Sequence, residues 1–375
     1  MLEKARAIQD YISKIRREIH RHPELGYQEV NTAKIVARCL DELGVSYKTG
    51  VAKTGLLAEI SQGDGPTILL RADMDALPVH EETGLSFQSQ IAGVMHACGH
   101  DTHTEMLLGA IKLLKDEHFN GTLRFLFQPS EEGSYDDPEK LSGAQRAIRE
   151  GVLSGIDAAI GLHQYPTLDT GKIAVTQGAI MAAADFFEIR IQGKSAHAGV
   201  CPEVGIDAIA IAAELIQSLN TIISRQVSPM DTAVLSICTI EGGSAPNVIA
   251  DQVKLTGTLR AMQEVTHQKI RQAIQSRCDA LATIHHTQID VEYFYSVPVT
   301  RNDPTIQSVA FSSATKIVGE GLVVDDLSIM GGEDFGYIAQ AIPSCFALLG
   351  TKVYEGEAFP LHSPRMCVNE DAFPV

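Results

Sequence analysis

The run TILLRAD (67–73) passes from aliphatic residues to Arg71 and Asp73 at its end. Two later runs have the same form: TLRFLFQ (122–128), followed by Pro-Ser and the pair Glu131 and Glu132, and AAIGLH (158–163), which closes on His163. GLLAEI (55–60) precedes them, and the stretch after His100 reads as a helix. Strands alternating with helices predict a parallel α/β sheet. Ligands of such sheets gather beyond the carboxyl ends of the strands, so Asp73, Glu131, Glu132 and His163 are candidates for one crevice.

Toward the N-terminus, Ile8, Ile12, Ile15 and Ile19 mark the apolar stripe of a helix that stops before Pro23. A second helix, TAKIVARCLDEL, takes Asn31 as its expected N-cap and Gly44 as its left-handed terminator. Toward the C-terminus the pattern changes at about residue 183: strand DFFEIRIQG, helix GIDAIAIAAELIQSLNTIIS, strands TAVLSICTI and QVKLTGTLR, helix THQKIRQAIQSRCDALATI, strand IDVEYFYS. That βαββαβ order is ferredoxin-like. After Pro298 a helix-then-strand pattern returns and ends in FALLG. The expected architecture is one domain of residues 1–181 and 298–375 with a mostly parallel sheet, interrupted by an inserted domain of residues 182–297.

The chain has 375 residues, 45% of them hydrophobic and 21% charged, which suits two packed domains and excludes a mainly disordered chain. A formal charge of −17 argues against a general basic surface for nucleic acid or anionic membrane. Seven scattered cysteines point to a reducing compartment. The charged N-terminal stretch has no apolar signal core, and no later run approaches about 20 apolar residues, so the expected location is the cytoplasm.

The densest reactive cluster is His96-Ala-Cys98-Gly-His100-Asp101-Thr-His103. Thiolate and imidazole together suit zinc and other borderline divalent metals, although a buried cysteine flanked by capping groups reads the same way. Adjacent residues cannot share one face of a regular strand, so Glu131 and Glu132 diverge, one toward metal and one toward a water; a solvated surface pair is the alternative. His163, and His362 in the loop FPLHSP, would each alone be ordinary histidines. Taken together, these groups, with Asp73 in reserve, suffice for two metals.

RADMDALP, MHACGHDTH, FQPSEEG, a strand-end GLH, GKSAHAGVCPEVGIDA, GGSAPNVIAD, GTLRAM, GGEDFGY and LHSPR occur in the order seen in a known family. The chain resembles, over nearly its whole length, the metal-dependent aminoacylases and carboxypeptidases of the hippurate-hydrolase and indole-acetyl-amino-acid-hydrolase type. The resemblance implies a zinc-peptidase-like catalytic domain with an inserted lid and dimerisation domain. It also implies hydrolysis of the amide of an N-acyl amino acid, or of a short peptide in the manner of a carboxypeptidase or dipeptidase.

Carried over by position, Cys98, His100, Glu132, His163 and His362 fall on the ligands of a two-metal centre, with Cys98 bridging, Glu131 on the general acid/base and Asp73 on an orienting aspartate. The implied ions are two divalent metals, zinc or manganese first, with nickel and cobalt also compatible. At Arg71 related peptidases carry a ligand histidine, so the metal set departs from the wider family's. In the inserted domain His197 falls on a histidine that reaches an active site, often that of a second copy of the chain, and there serves the oxyanion. Asn247 and Arg260 fall on contacts to a substrate carboxylate, and Gly332 with Glu333 on a substrate-side turn. The implied partners are a small-molecule substrate and a second copy of the chain.

Two other classes stand beside this one: a cysteine hydrolase with Cys98 as nucleophile and His100 as base, and a binding protein that keeps the fold without activity. The acidic loop SYDDPEKLSG (134–143) reads as solvated, and His103 as either a support of the site or a helix-surface histidine.

Overall fold

The computed structural model describes residues 1–133, 137–353 and 357–375. The chain divides into two compact units, Met1–Ile180 with Thr300–Ser328 and Asp334–Val375, and Met181–Val299 with Ile329–Glu333. The last segment contains Gly332 and Glu333, which the sequence reading assigns to the catalytic part.

The first unit is built on an eight-stranded sheet in the order Ser46–Val51, Gly55–Gln62, Gly121–Gln128, Thr67–Asp73, Ala158–Asp169, Ser344–Lys352, Ile173–Ala174, Val323–Val324. Its centre is parallel: Thr67–Asp73 runs between Gly121–Gln128 and Ala158–Asp169, which in turn pairs with Ser344–Lys352. The edge hairpin from Ser46 to Gln62 is antiparallel. Register places Asp73 opposite Gln128, so the strand ends that carry Asp73 and the two glutamates lie side by side. Ile15 and Ile19, Val36 and Leu40, and Leu107, Leu108 and Ile111, from three helices, pack on Leu56, Phe125 and Phe127 of the sheet. Each such side chain contributes about 1.5–3 kcal/mol when fully buried.

Two local expectations change. The first helix is broken at Ile8 (φ −104°, ψ 5°) into Leu2–Ala7 and Gln9–Arg21, and it does stop before Pro23. The next helix begins at Val30 with Glu29, not Asn31, at the N-cap. The amides of Asn31 and Thr32 donate instead to the Glu24 carboxylate, at 2.9 and 2.8 Å, so a residue from the preceding loop satisfies the helix terminus. Gly44 terminates that helix at φ +69°, as expected.

In the second unit, strands Ala183–Gln192, Ala233–Gly242, Gln252–Ala261 and Ile289–Val297 and helices Ala208–Gln226 and Glu264–Ile284 follow the βαββαβ order. The sheet is antiparallel and runs fourth, first, third, second in chain order, the ferredoxin-like arrangement. Alternate residues Phe187, Ile189 and Ile191 meet Leu215, Leu219, Ile270 and Ile274 of the two helices in one apolar core. Among the described residues no helix is long and apolar enough to cross a membrane.

Candidate metal centre

Five chain segments of the first unit deliver the polar residues. Strand Thr67–Asp73 ends on Asp73, and Asp75 follows. Helix His100–Leu114 starts after Gly99, whose φ of +84° and whose contact with Gln164, 2.6 Å from where a Cβ would sit, leave room for glycine alone. The first turn of that helix puts His100 and His103 on one face, ring centroids 5.4 Å apart. After strand Gly121–Gln128 the chain turns through Ser130 at φ +51° into Glu131 and Glu132. His163 lies inside strand Ala158–Asp169 and not at a strand end as the sequence predicts, because pairing with Ser344–Lys352 carries the strand on to Asp169. His362, itself at φ +67°, donates its amide to the carbonyl of Ala97 at 2.9 Å, which ties its loop to the Cys98 segment.

The ligand-type atoms of Cys98, His100 and His163 all lie within 4.8 Å of one another, and so do those of Cys98, Glu132 and His362. Cys98 is thus common to both groups, and its Sγ is 3.3 Å from His163 Nε2. Glu132 Oε1 is 3.0 Å from His362 Nε2. A further group joins His100 with Glu131 and Glu132. His100 Nδ1 is held by Asp75 Oδ1 at 3.1 Å, while its Nε2 is buried without a hydrogen-bond partner. A buried imidazole nitrogen so exposed to a sulfur, two carboxylates and a second imidazole fits a borderline divalent metal.

Charge points the same way. Burial, followed by the carboxylates of Glu132, Glu131 and Asp73, pushes the Cys98 thiol well above the usual range. Burial pulls His100 down, but Asp73, Asp75 and Glu132 outweigh it and raise its pKa to about 10. Glu132 and Asp73 contribute to both shifts, an excess of negative charge that a cation relieves. His163, by contrast, is driven well below its ordinary value by burial and then by His103 and His100, so it stays neutral and able to donate a lone pair. The imidazole hydrogen-bonded to Cys98 Sγ is that of His163, so the Cys98–His100 pair of the cysteine-hydrolase reading is not the contact that forms, and burial holds the thiol up.

Asp73 is the hub behind these groups. It accepts from Arg71 Nη1 at 2.7 Å, and its other oxygen lies 2.5 Å from His103 Nδ1. His103 Nε2 in turn accepts the Gln164 amide at 2.8 Å, next to His163. His103 is buried, so the helix-surface alternative falls. Arg71 also binds Asp334 Oδ1 at 2.7 Å and Gln128 Oε1 at 3.0 Å. The Asp334 amide donates to Glu131 Oε1 at 3.1 Å. Glu131 is 4% exposed, not a solvated surface carboxylate, and its Oε2 is 4.0 Å from His100 Nε2.

Two residues escaped the sequence reading. Asp75 holds His100 through one oxygen and accepts the Glu132 amide on the other at 3.0 Å, tying two segments together. The alternation in RADMD was its signal, since a second aspartate two residues past a strand end shares the first one's side. Asp334 lay within the quoted GGEDF, but nothing local showed that its amide reaches Glu131. The loop after the glutamates corrects another expectation. Its residues 134–136 are outside the described ones, but Asp137 is buried and bound to Lys53 and to Arg146 Nη2 at 2.8 Å, so it is not solvated.

The remaining candidates belong to the second unit. His197 and Asn247 are exposed and adjacent, the Ala198 amide donating to the Asn247 carbonyl at 3.0 Å. Arg260 stands over the Phe186 ring at 5.2 Å, donates to Thr258 Oγ1 at 3.2 Å, and closely flanks Gly332, where a Cβ would be 3.1 Å from its Nη1. It is therefore not simply a solvated strand-end charge.

The model of the family described as Peptidase family M20/M25/M40 matches residues 69–375. The chain is 39% identical to the IAA-amino acid hydrolase ILR1-like 5 of Arabidopsis thaliana over 373 residues, 97% of this chain and 84% of that one. It is equally 39% identical to the N-acetyl-L-cysteine deacetylase of Bacillus subtilis (strain 168), over 96% of this chain and 83% of that one. The crystal structure of the Bacillus subtilis YXEP protein, described as a dinuclear metal binding peptidase from the M20 family, superposes with a TM-score of 0.81 at 35% identity, covering 98% of this chain and 95% of that one.

Proposed function

Because the chain belongs to peptidase family M20/M25/M40 and is a metal-dependent hydrolase, we propose that it cleaves the amide bond of N-acyl amino acids. The observation that carries the reading is the shared Cys98 between two ligand groups, with Glu131 beside them. Cys98, His100, His163, Glu132 and His362 would hold two divalent cations, zinc or manganese before nickel or cobalt. Such ions supply Lewis-acid polarisation of the scissile carbonyl and a lowered pKa for the attacking water.

The chain's own residues do the rest. Glu131, anchored on Oε1 by the Asp334 amide, takes the proton of the water and returns it to the departing amine. Asp75 orients His100 and the Glu132 backbone, and Asp73 orients His103. His197 donates to the oxyanion that forms on the substrate, while Asn247, Arg260 and the Gly332 turn receive the substrate carboxylate, for which an arginine fork is suited. The reading includes a cytoplasmic homodimer. Seven free thiols support the compartment, and the edge strand Ala233–Gly242, which exposes Val234 and Ile240, supports the second unit as the contact.

Hydrolysis of N-acetyl, N-benzoyl and dipeptide substrates by metal-stripped protein resupplied with zinc, manganese, cobalt or nickel tests this. Turnover that returns with metal and is lost in Glu131→Gln is the expected result. Turnover that survives chelation sinks it, and a preference for dipeptides moves the substrate class to peptides.

A further inference from the structure

Glu29 lies outside every ligand group, yet it is fully buried and spans from the start of helix Val30–Leu43 to the turn before the two glutamates. It occupies the N-cap, but its side chain caps nothing, because Glu24 has taken the amides of Asn31 and Thr32. Its Oε1 accepts the Ser130 amide at 2.8 Å, and its Oε2 accepts the Thr54 hydroxyl at 2.6 Å. Ser130 is a non-glycine residue at φ +51°, a conformation that L side chains rarely adopt unless the surroundings impose it. The surroundings do so from three sides. Glu29 holds the Ser130 amide, the Gly143 amide donates to its carbonyl at 2.9 Å, and Gly26 leaves the space for its side chain, a Cβ at that glycine falling 2.7 Å from Ser130 Oγ.

We propose that Glu29 is a positioning residue for the hydrolytic reaction: its carboxyl group holds the left-handed turn at Ser130 and thereby directs Glu131 and Glu132 to their separate targets. The inference rests on the roles given above to those two glutamates. A turn at Ser130 relaxed to an extended conformation would swing the next two side chains away from the Asp334 amide and from His362, which they now meet. Glu29 acts as a hydrogen-bond acceptor, for which either protonation state serves. This agrees with a pKa raised to about 7 by burial and then by Asp75.

The test compares Glu29→Gln, which keeps an acceptor oxygen, with Glu29→Leu, which has the bulk and no acceptor. Both are assayed for kcat, KM and bound metal beside wild type and Glu131→Gln. Glu29→Leu should lower kcat about 10- to 100-fold with KM changed by less than about twofold, the size of effect expected from a small misplacement of a reacting group. Glu29→Gln should recover most of that loss. An unchanged kcat in Glu29→Leu, or a Glu29→Gln variant as impaired as Glu29→Leu, overturns the inference. Should Glu29→Leu fail to fold, Thr54→Val keeps Glu29 and removes only the brace on its second oxygen; kcat should fall about threefold, and an unaltered kcat counts against the idea. If wild type shows no metal-dependent turnover, the proposed function fails instead, independently of Glu29.

Discussion

The two units place their buried polar groups in opposite ways. In the first, Arg16, Asp101 and His20 form a charge cluster with no exposed member, one residue along the chain from His100, and Arg71, Asp73 and His103 form another behind the site. In the second, the core is almost wholly aliphatic and aromatic. Its principal buried polar contact is the set of Asp185 with His267 at 2.7 Å and Ser296 at 2.6 Å, and the candidate residues His197 and Asn247 are exposed. The first unit therefore surrounds its candidate site with paired buried charges. The second is an ordinary amphipathic layer that presents residues at its surface.

The largest effect expected from that contrast is at Glu131. Glu131→Gln should lower kcat by about 10²–10⁴-fold, the range of general acid/base catalysis, with metal content unchanged, and a loss under tenfold would remove Glu131 from the role. Next is the charge cluster. Arg16→Leu strips the guanidinium from buried Asp101 and leaves it only His20, so stability should fall by about 3–5 kcal/mol, read by urea denaturation.

The same cluster has a pH signature. Burial raises Asp101, but Arg16 and His20 hold its carboxyl far below the ordinary range. A depressed carboxylate contributes stability above its unfolded value of about 3.9, and loses it as pH falls toward the folded one. Wild type should therefore lose stability on acidification below about pH 4, and Arg16→Leu should show a shallower slope; equal slopes would break the assignment.

In the second unit Leu215→Ala should cost about 2–5 kcal/mol by opening a cavity, with kcat per folded molecule retained. A collapse of kcat at the same stability would mean that the two units are less distinct than their cores suggest. Smallest is Asp75→Asn, which keeps the size of the group that links His100 and Glu132 but removes its charge. Metal affinity or activity should fall about 10- to 100-fold, read by competition with a chelating dye. No change in either would make Asp75 a bystander.

Much of the fold was legible. Strand Thr67–Asp73, its neighbour Gly121–Gln128, the first half of Ala158–Asp169 and the βαββαβ order follow from local periodicity, which two- and 3.6-residue repeats write directly into the chain. The helix terminus at Glu29 was not, because its cap is Glu24, and a cap supplied from outside the helix leaves no spacing signature. Asp137 was misread for a similar reason: an acidic residue looks solvated until Lys53 and Arg146 are brought to it from elsewhere in the chain.

Which chemical groups are present, and on which kinds of element, can be read along the chain. A thiol and imidazole at a helix start, a carboxylate pair after a strand, and the order of motifs are properties of neighbours along the chain. How those groups are paired is a matter of packing. The hold of Asp334 on Glu131, of Asp75 on both His100 and Glu132, and of Glu29 on Ser130 each joins residues tens to hundreds of positions apart. Such contacts form when packed elements fix side chains at ångström distances in a dry interior, and the strength of a hydrogen bond or a charge there depends on that distance and burial, which no local pattern encodes.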